Sequence, residues 1–355
     1  MYENDKRTVL TLDAGGTNFV FSAIRGCREV VTPVRLDAVT DHVDRCLQVL
    51  EEGFRQVMQE LEEAPVAISF AFPGPADYAA GIIGDLPNFP CFRGGVAMGP
   101  YLSEVFHLPV FINNDGNLFA YGEALSGALP ALNKALEEAG SGQRCRNLLG
   151  ITLGTGFGAG VVLDGTLLTG DNGCGGDVWL MRNVFAPDQI AEENVSIRAV
   201  KRVYRELSSD STPLEPRDIF EIAEGRREGS AQAARESFRR LGVAAADAVA
   251  HALDIVDGLV VVGGGLAGAS AYILPAMVEA LGPWLQMEPL DLTTEKGMAR
   301  FLEDRSEMVP VPGTERFVRY RKEKKTGLTV SRLGTSTAVA LGAYAYALSQ
   351  IDHTI

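Results

Sequence analysis

Two segments of the chain share one pattern: an apolar strand-like run, a turn built on closely spaced glycines, and a second apolar run. The first reads Leu10-Thr-Leu-Asp13-Ala-Gly15-Gly16-Thr17-Asn18-Phe-Val-Phe21 and the second Leu148-Leu-Gly-Ile-Thr-Leu153-Gly154-Thr155-Gly156-Phe-Gly158-Ala-Gly160-Val-Val-Leu163. They stand about 140 residues apart. Self-similarity at that distance implies an internal duplication, so the chain is expected to fold as two related α/β halves. In the first turn, adjacent glycines remove both Cβ atoms and permit positive φ, letting backbone N–H groups approach an anion closely. Thr17 adds a hydroxyl and Asp13 a metal-seeking carboxylate. Gly-Gly and Thr-Asn are also ordinary hairpin residues, so the turn alone leaves both readings open.

The rest of the chain supplies alternating helices and strands. A third strand is expected over Val30 to Leu36. Between Asp41 and Leu61, apolar Val43, Leu47, Leu50, Phe54, Val57, Met58 and Leu61 recur at three- and four-residue intervals, which predicts an amphipathic helix. Val66 to Phe72 reads as a buried strand that Pro73-Gly74-Pro75 cannot continue. Val110 to Ile112 is another strand, followed by Asn113-Asn114-Asp115-Gly116-Asn117 and a helix expected to reach Leu129. Asn and Asp before a helix are preferred N-caps, yet this succession also places a carboxylate at the carboxyl end of a strand, where open α/β sheets bind ligands. Farther on, helices are predicted over Ala191–Leu207, Pro216–Glu224, Ser230–Asp254 and Thr335–Ser349. Leu259 to Val262 is a strand entering Gly263-Gly264-Gly265-Leu-Ala-Gly268. Within residues 286–335, Val318 to Lys325 is basic and strand-like, Lys324 to Gly327 is expected to turn, and Leu328 to Arg332 to return. A charge run of that kind is ordinarily a solvated face.

Composition narrows the function classes. With 355 residues the chain can hold two domains, and its net charge of −14 disfavours nucleic acid or an anionic membrane as the main partner. The N-terminus lacks the apolar segment of a signal peptide and no run approaches a membrane span, so a cytoplasmic location is expected. Five scattered cysteines, without a Cys-x-x-Cys pair, offer neither a disulfide framework nor metal-ligand spacing. The P-loop pattern is absent. Gly263-x-Gly265-x-x-Gly268 fits the dinucleotide fingerprint between strand and helix, but the acidic residue about 20 positions on, at the end of a second strand, is missing.

Taken together, Asp13-Ala-Gly-Gly-Thr-Asn18, Asn114-Asp115, Leu153-Gly-Thr-Gly-Phe-Gly158 and Val262-Gly-Gly-Gly265, in this order and spacing, resemble the ROK family of bacterial sugar kinases and sugar-responsive repressors. The resemblance implies the duplicated ribonuclease-H-like fold of the sugar kinase, Hsp70 and actin superfold, with two domains and a central cleft. The expected division is 1–112 with 336–355 returning to it, and 113–335. It further implies that Asp115 is the general base, that Gly15, Gly16, Thr17, Thr155 and Gly156 contact ATP phosphates, and that Gly264 and Gly265 lie near adenosine. Asp13 would serve Mg²⁺ through water. Asn88, Asn114, Asp115, Asp177 and Glu192 would hold the sugar, the last within a Glu-x-x-x-Ser element ending at Ser196.

Two departures from the family pattern are visible. Asp177 stands where the family has Glu, and Trp179-Leu180 stand where it has Gly-His before a cysteine-rich zinc element; with no cysteine or histidine between Asp177 and Glu192, no zinc site is expected. Only twelve residues precede Asp13, so the helix-turn-helix of the repressor branch is not expected, nor is DNA binding. The reading is an ATP- and Mg²⁺-dependent kinase acting on a hexose, amino sugar or related carbohydrate; the resemblance further implies a homodimer or homotetramer. The alternative is a non-catalytic sugar-sensing protein of the same fold.

Overall fold

The computed structural model describes residues 2–14, 17–86 and 91–354. In chain order the elements are β1 (Thr8–Ala14), β2 (Asn18–Arg25), β3 (Arg28–Glu29), β4 (Val34–Asp37), α1 (Val43–Gln59), β5 (Ala67–Ala71), β6 (Ala76–Asp77), β7 (Ile82–Ile83), α2 (Met98–Phe106), β8 (Val110–Asn113), α3 (Asp115–Leu125) and α4 (Ala128–Glu138). There follow β9 (Leu148–Leu153), β10 (Phe157–Leu163), β11 (Thr166–Leu167), α5 (Ile197–Ser208), α6 (Pro216–Ala223), α7 (Ala231–Val256), β12 (Leu259–Gly263), α8 (Ser270–Leu281), β13 (Glu288–Asp291), α9 (Glu295–Leu302), β14 (Glu307–Pro310), β15 (Phe317–Tyr320), β16 (Lys325–Val330) and α10 (Thr335–Thr354). No helix among the described residues is long and apolar enough to cross a membrane.

The expected duplication is visible in the strand orders. One sheet runs β3-β2-β1-β5-β8, with β4 also on β2, and the other β11-β10-β9-β12-β16-β13. In each, two strands consecutive in the chain, β1–β2 and β9–β10, stand beside parallel strands that arrive later: β5 and β8 with β1, and β12 and β16 with β9. The chain divides into two compact units, one of residues 1–127, 160–176 and 332–355, the other of 128–159 and 177–331.

In the first unit β1 is apolar at consecutive positions because both of its faces are covered. Leu10, Leu12, Phe19 and Phe21 pack against α1 and α2 through Phe54 and Phe106, whereas Val9, Ile24 and Ala67 pack against Tyr344, Ala347 and Leu348 of α10. On α1, Cys46, Leu50, Phe54 and Val57 are buried at four- and three-residue spacing, and the Phe54 ring meets that of Phe21 edge-on at 5.1 Å. Helix α3 falls in the second range of the sequence-based division, yet it packs with the first unit. A Cβ on Gly122 would stand 2.0 Å from the Ala338 carbonyl oxygen, and one on Gly342 1.9 Å from that of Leu118, so only glycines let α3 and α10 cross so closely. The wholly buried Glu123 accepts the Leu333 N–H at 3.1 Å, tying α3 to the segment that enters α10.

The second unit is built on parallel β9, β12, β16 and β13. Here the region expected to turn at Lys324–Gly327 is instead strand: Thr326 and Gly327 are buried in β16, which lies parallel to β12. Polar composition concealed it. Lys325 donates through Nζ to the carbonyl oxygens of Arg300 and Glu303 at 2.8 and 2.5 Å, capping the end of α9 and so giving a lysine a structural reason to sit in the strand. The strand-like Val318 segment pairs with β14 in a separate two-stranded ribbon. The helix expected over Ala191–Leu207 begins only at Ile197, after a 3₁₀ turn at Ala191–Asn194.

Candidate active site

Strands β1, β5 and β8 are parallel and end level. Asp13 is in register with Ala71, and Ala71 with Asn113, so Asp13 and the start of α3 occupy the same carboxyl edge of one sheet. At that edge Asn113 is buried; its Oδ1 accepts from Asn117 Nδ2 at 3.0 Å and from the Asn114 N–H at 2.8 Å. The helix cap is Asn114, whose Oδ1 accepts the Asn117 N–H at 2.9 Å. Capping therefore falls to Asn114, and Asp115 is the first residue of the helix.

Asp115 accepts the Gly116 N–H on Oδ1 at 2.9 Å. Its side chain keeps solvent-accessible surface, but the protein gathered around the carboxyl desolvates it and raises its pKa above the usual carboxylate value. The N–H groups of Gly116 and of Asp115 itself favour the anion and oppose that rise without cancelling it. A carboxylate that solvent can reach and whose pKa is raised is suited to taking a proton.

The second glycine turn is held from two sides. Gly154 donates to the Gly156 carbonyl oxygen at 3.0 Å, closing the turn, and leaves Thr155 exposed. Glu192 accepts the Phe157 N–H on Oε2 at 3.0 Å, and the Ile197 N–H donates to the Gly154 carbonyl at 2.8 Å. The Glu-x-x-x-Ser element thus clamps the turn: Glu192 grips one strand, and the residue after Ser196 grips the other. The remaining oxygen of Glu192, Oε1, receives Arg198 at 3.2 Å. Ser196 is fully buried and its hydroxyl has no hydrogen-bond partner among the described residues.

Beside this turn lies the third glycine segment. Strands β9 and β12 are paired from Leu148↔Leu259 to Thr152↔Gly263, so Gly264 follows directly alongside Leu153. Gly264 has φ +86°, and a Cβ there would meet the Leu153 carbonyl oxygen at 2.3 Å. By contrast, side-chain space at Gly154, Gly265 and Gly268 is empty within 4 Å. This is a backbone-lined cradle at the carboxyl edge of a parallel sheet, a setting that suits a nucleotide and its phosphates. In the first unit the exposed carboxylate of Asp13 is a hard oxygen donor of the kind Mg²⁺ selects, directly or through water.

Asp177, half-buried, opens a 3₁₀ turn at Val178–Leu180. From there to Glu192 the loop is organised by one asparagine. Asn183 is buried; its Oδ1 accepts from the N–H groups of Phe185 and Ala186 at 3.0 and 3.2 Å and from Asn194 Nδ2 at 3.0 Å, while its Nδ2 donates to the Ile190 carbonyl at 3.2 Å. Backbone bonds from Ala191 to Met181 and from Asn183 to Gln189 close the same loop. Asn183 thereby delivers Glu192 to the glycine turn.

Within the first unit, then, Asp13, Asn114 and Asp115 share one edge; within the second, Thr155, Gly156, Glu192, Gly264 and Gly265 share another. The expected contacts of Gly15, Gly16 and Asn88 lie outside the described residues. Asn113, Asn117, Asn183 and Arg198 were not singled out by the sequence. Asn113 and Asn117 could have been, since they bracket Asn114 and Asp115 at four-residue spacing; an isolated Asn183 carries no pattern.

Comparison with known proteins places this geometry. A sequence profile of the ROK family matches residues 9–306. A crystal structure of glucokinase from Parabacteroides distasonis superposes with a TM-score of 0.92, is 58% identical, and is matched over 98% of this chain and 99% of that one. Glucokinase from Thermotoga maritima is 30% identical over 174 residues, 49% of this chain and 50% of the relative. N-acetyl-D-glucosamine kinase from Photobacterium profundum is 28% identical over 166 residues, 47% of this chain and 50% of that protein. The chain thus spans about half the length of the curated relatives it matches.

Proposed function

Because the chain belongs to the ROK family, we propose that it is an ATP-dependent carbohydrate kinase that phosphorylates a hexose hydroxyl, with glucose the first substrate to test and Asp115 the general base. The observation that carries this reading is the place of Asp115: first residue of α3 directly after β8, relieved of capping by Asn114 and exposed to solvent at the carboxyl edge of the sheet. The choice of glucose rests on the 58%-identical Parabacteroides protein, with the N-acetylglucosamine kinase keeping amino sugars in the panel.

Asp115 would accept a hydrogen bond from the reacting hydroxyl and take its proton as the oxygen bonds to the γ-phosphorus and ADP leaves. A raised pKa makes the carboxylate the stronger proton acceptor, which suits it to take the hydroxyl proton. The backbone of Gly154–Gly156, with the Thr155 hydroxyl, would hold phosphate oxygens, and Gly264 and Gly265 would receive the nucleoside side. Mg²⁺, when bound with the nucleotide, neutralises charge on the β- and γ-phosphates; Asp13 is the carboxylate available to hold it. Because the transition state is loose, positioning of these groups should supply most of the rate. Asp177 and Glu192 would contact the sugar, Glu192 while also keeping the Phe157 N–H.

The test is a coupled assay of ADP release with Mg-ATP and a panel of glucose, mannose and N-acetylated amino sugars. Turnover with at least one sugar is expected. Sugar-dependent thermal stabilisation without turnover for any of them would overturn the kinase reading in favour of a sensor.

A further inference from the structure

Helix α10 meets α3 in a regular step. Ala338 lies against Gly122 and Gly342 against Leu118, so close that a Cβ on either glycine would strike the facing carbonyl; four residues forward on α10 correspond to four residues back on α3. One further step along the same stripe of α10 brings Tyr346 to Asn113, the last residue of β8. There the small residues give way to a side chain that reaches across. The Tyr346 ring stands edge-on to that of Phe111, with centroids 6.3 Å apart, and its hydroxyl is hydrogen-bonded to the Asn113 side chain.

The other partners of Asn113 decide which end of its amide faces Tyr346. Oδ1 accepts the Asn114 N–H at 2.8 Å and Asn117 Nδ2 at 3.0 Å, groups that can only donate, so Nδ2 is the donor to the Tyr346 oxygen. The Tyr346 hydroxyl thus fixes the plane of an amide that holds the cap residue at its backbone and the first turn of α3 at Asn117. Asp115 lies between these two attachments. Asn117 is buried, and its Oδ1 has no hydrogen-bond partner among the described residues. An unpaired buried acceptor destabilises a fold, so the amide is explained by what its Nδ2 does, which is to grip Asn113.

We propose that Tyr346 is a positioning residue for Asp115: from α10, through Asn113, it holds the first turn of α3 so that the carboxyl is aimed at the sugar hydroxyl. The inference rests on the reading of Asp115 as the general base. Tyr346 takes no part in the proton transfer; it sets the direction from which Asp115 meets the hydroxyl.

Two matched substitutions test it. Tyr346→Phe removes one oxygen and keeps the ring on Phe111. Tyr344→Phe makes the same change two residues away on α10, where a buried hydroxyl instead accepts the Gly26 N–H at 3.0 Å. Steady-state kinetics with Mg-ATP and the sugar panel are measured for both. Tyr346→Phe is expected to lower kcat about tenfold while KM for sugar and for Mg-ATP changes by no more than about twofold. Tyr344→Phe should keep the wild-type kcat, although it loses a hydrogen bond of the same kind. In an Asp115→Asn background Tyr346→Phe should cause no further loss, because no base remains to be aimed. A Tyr346→Phe enzyme with wild-type kcat, a Tyr344→Phe enzyme equally impaired, or an undiminished further loss in the Asp115→Asn background would overturn the inference and leave Asp115 as the base. A wild type without turnover on any sugar, or a fully active Asp115→Asn, would overturn the reading of Asp115 and the inference with it.

Discussion

Two carboxylates expected to face substrate have opposite surroundings. Asp115, at the start of α3, accepts a backbone N–H from its own helix and is otherwise desolvated, so its pKa rises. Glu192, in a 3₁₀ turn, has each oxygen engaged, one by the Phe157 N–H and the other by the Arg198 guanidinium. The first is poised to change its protonation. The second is held at both oxygens, and its hydrogen bond to the Phe157 N–H ties it to the glycine turn. Motif matching gives both the label of site residue; the hydrogen-bond partners separate a proposed base from a proposed positioning group.

Substitutions can break or sharpen that contrast. Asp115→Asn keeps shape and the Gly116 hydrogen bond but removes the base, and kcat should fall by about 10²–10⁴-fold while sugar-induced thermal stabilisation persists. An active Asn variant would reduce Asp115 to a helix residue without chemistry. Glu192→Ala should act differently, removing a sugar contact as well as releasing the Phe157 N–H and loosening the turn; a loss of roughly tenfold to a hundredfold, expressed in KM for both the sugar and Mg-ATP, is expected from steady-state kinetics. Asn183→Ala should destabilise the protein by about 1–3 kcal/mol, since several buried backbone groups lose their partner. Its kinetic defect should shrink in a Glu192→Ala background, because both residues act on the same turn; fully additive defects in the double variant would show that Asn183 does not work through Glu192. The smallest effect belongs to Arg198→Ala. Arg198 is half exposed, so its ion pair with Glu192 should contribute no more than about 1 kcal/mol, and a change in kcat/KM of several-fold at most is expected.

Much of the fold was legible because its signals were repeated and apolar. Two strand–glycine turn–strand units announced the duplication, and the spacing of Leu50, Phe54 and Val57 announced α1. The glycine turn at Gly154–Gly156 and the glycine segment after β12 were legible for the same reason: each follows an apolar strand. What stayed hidden depends on partners distant in sequence. Lys325 reads as turn until the carbonyls ending α9 are seen to need it. Asn183 is one asparagine among many until the loop closes around it. The ribbon reads as a charge run because its apolar residues alternate with arginines, and register is needed to show that they fall on both faces.

The desolvated state of Asp115 can be tested by two independent readouts of one titration. A carboxyl whose folded pKa lies above its unfolded value binds its proton more tightly in the native state. Its ionisation therefore costs stability as pH rises through the interval between the two values, and the cost is relieved as pH falls back through the raised one. Asp115→Asn should accordingly be more thermostable than wild type at neutral pH, the gap closing on acidification, and wild-type kcat should lose activity over the same pH range, above that of an ordinary carboxylate. Parallel thermal-shift and kcat profiles across acidic pH make the comparison. Coincidence of the two transitions is the result expected of a desolvated general base; an Asn variant no more stable than wild type, with kcat flat through that interval, would contradict it.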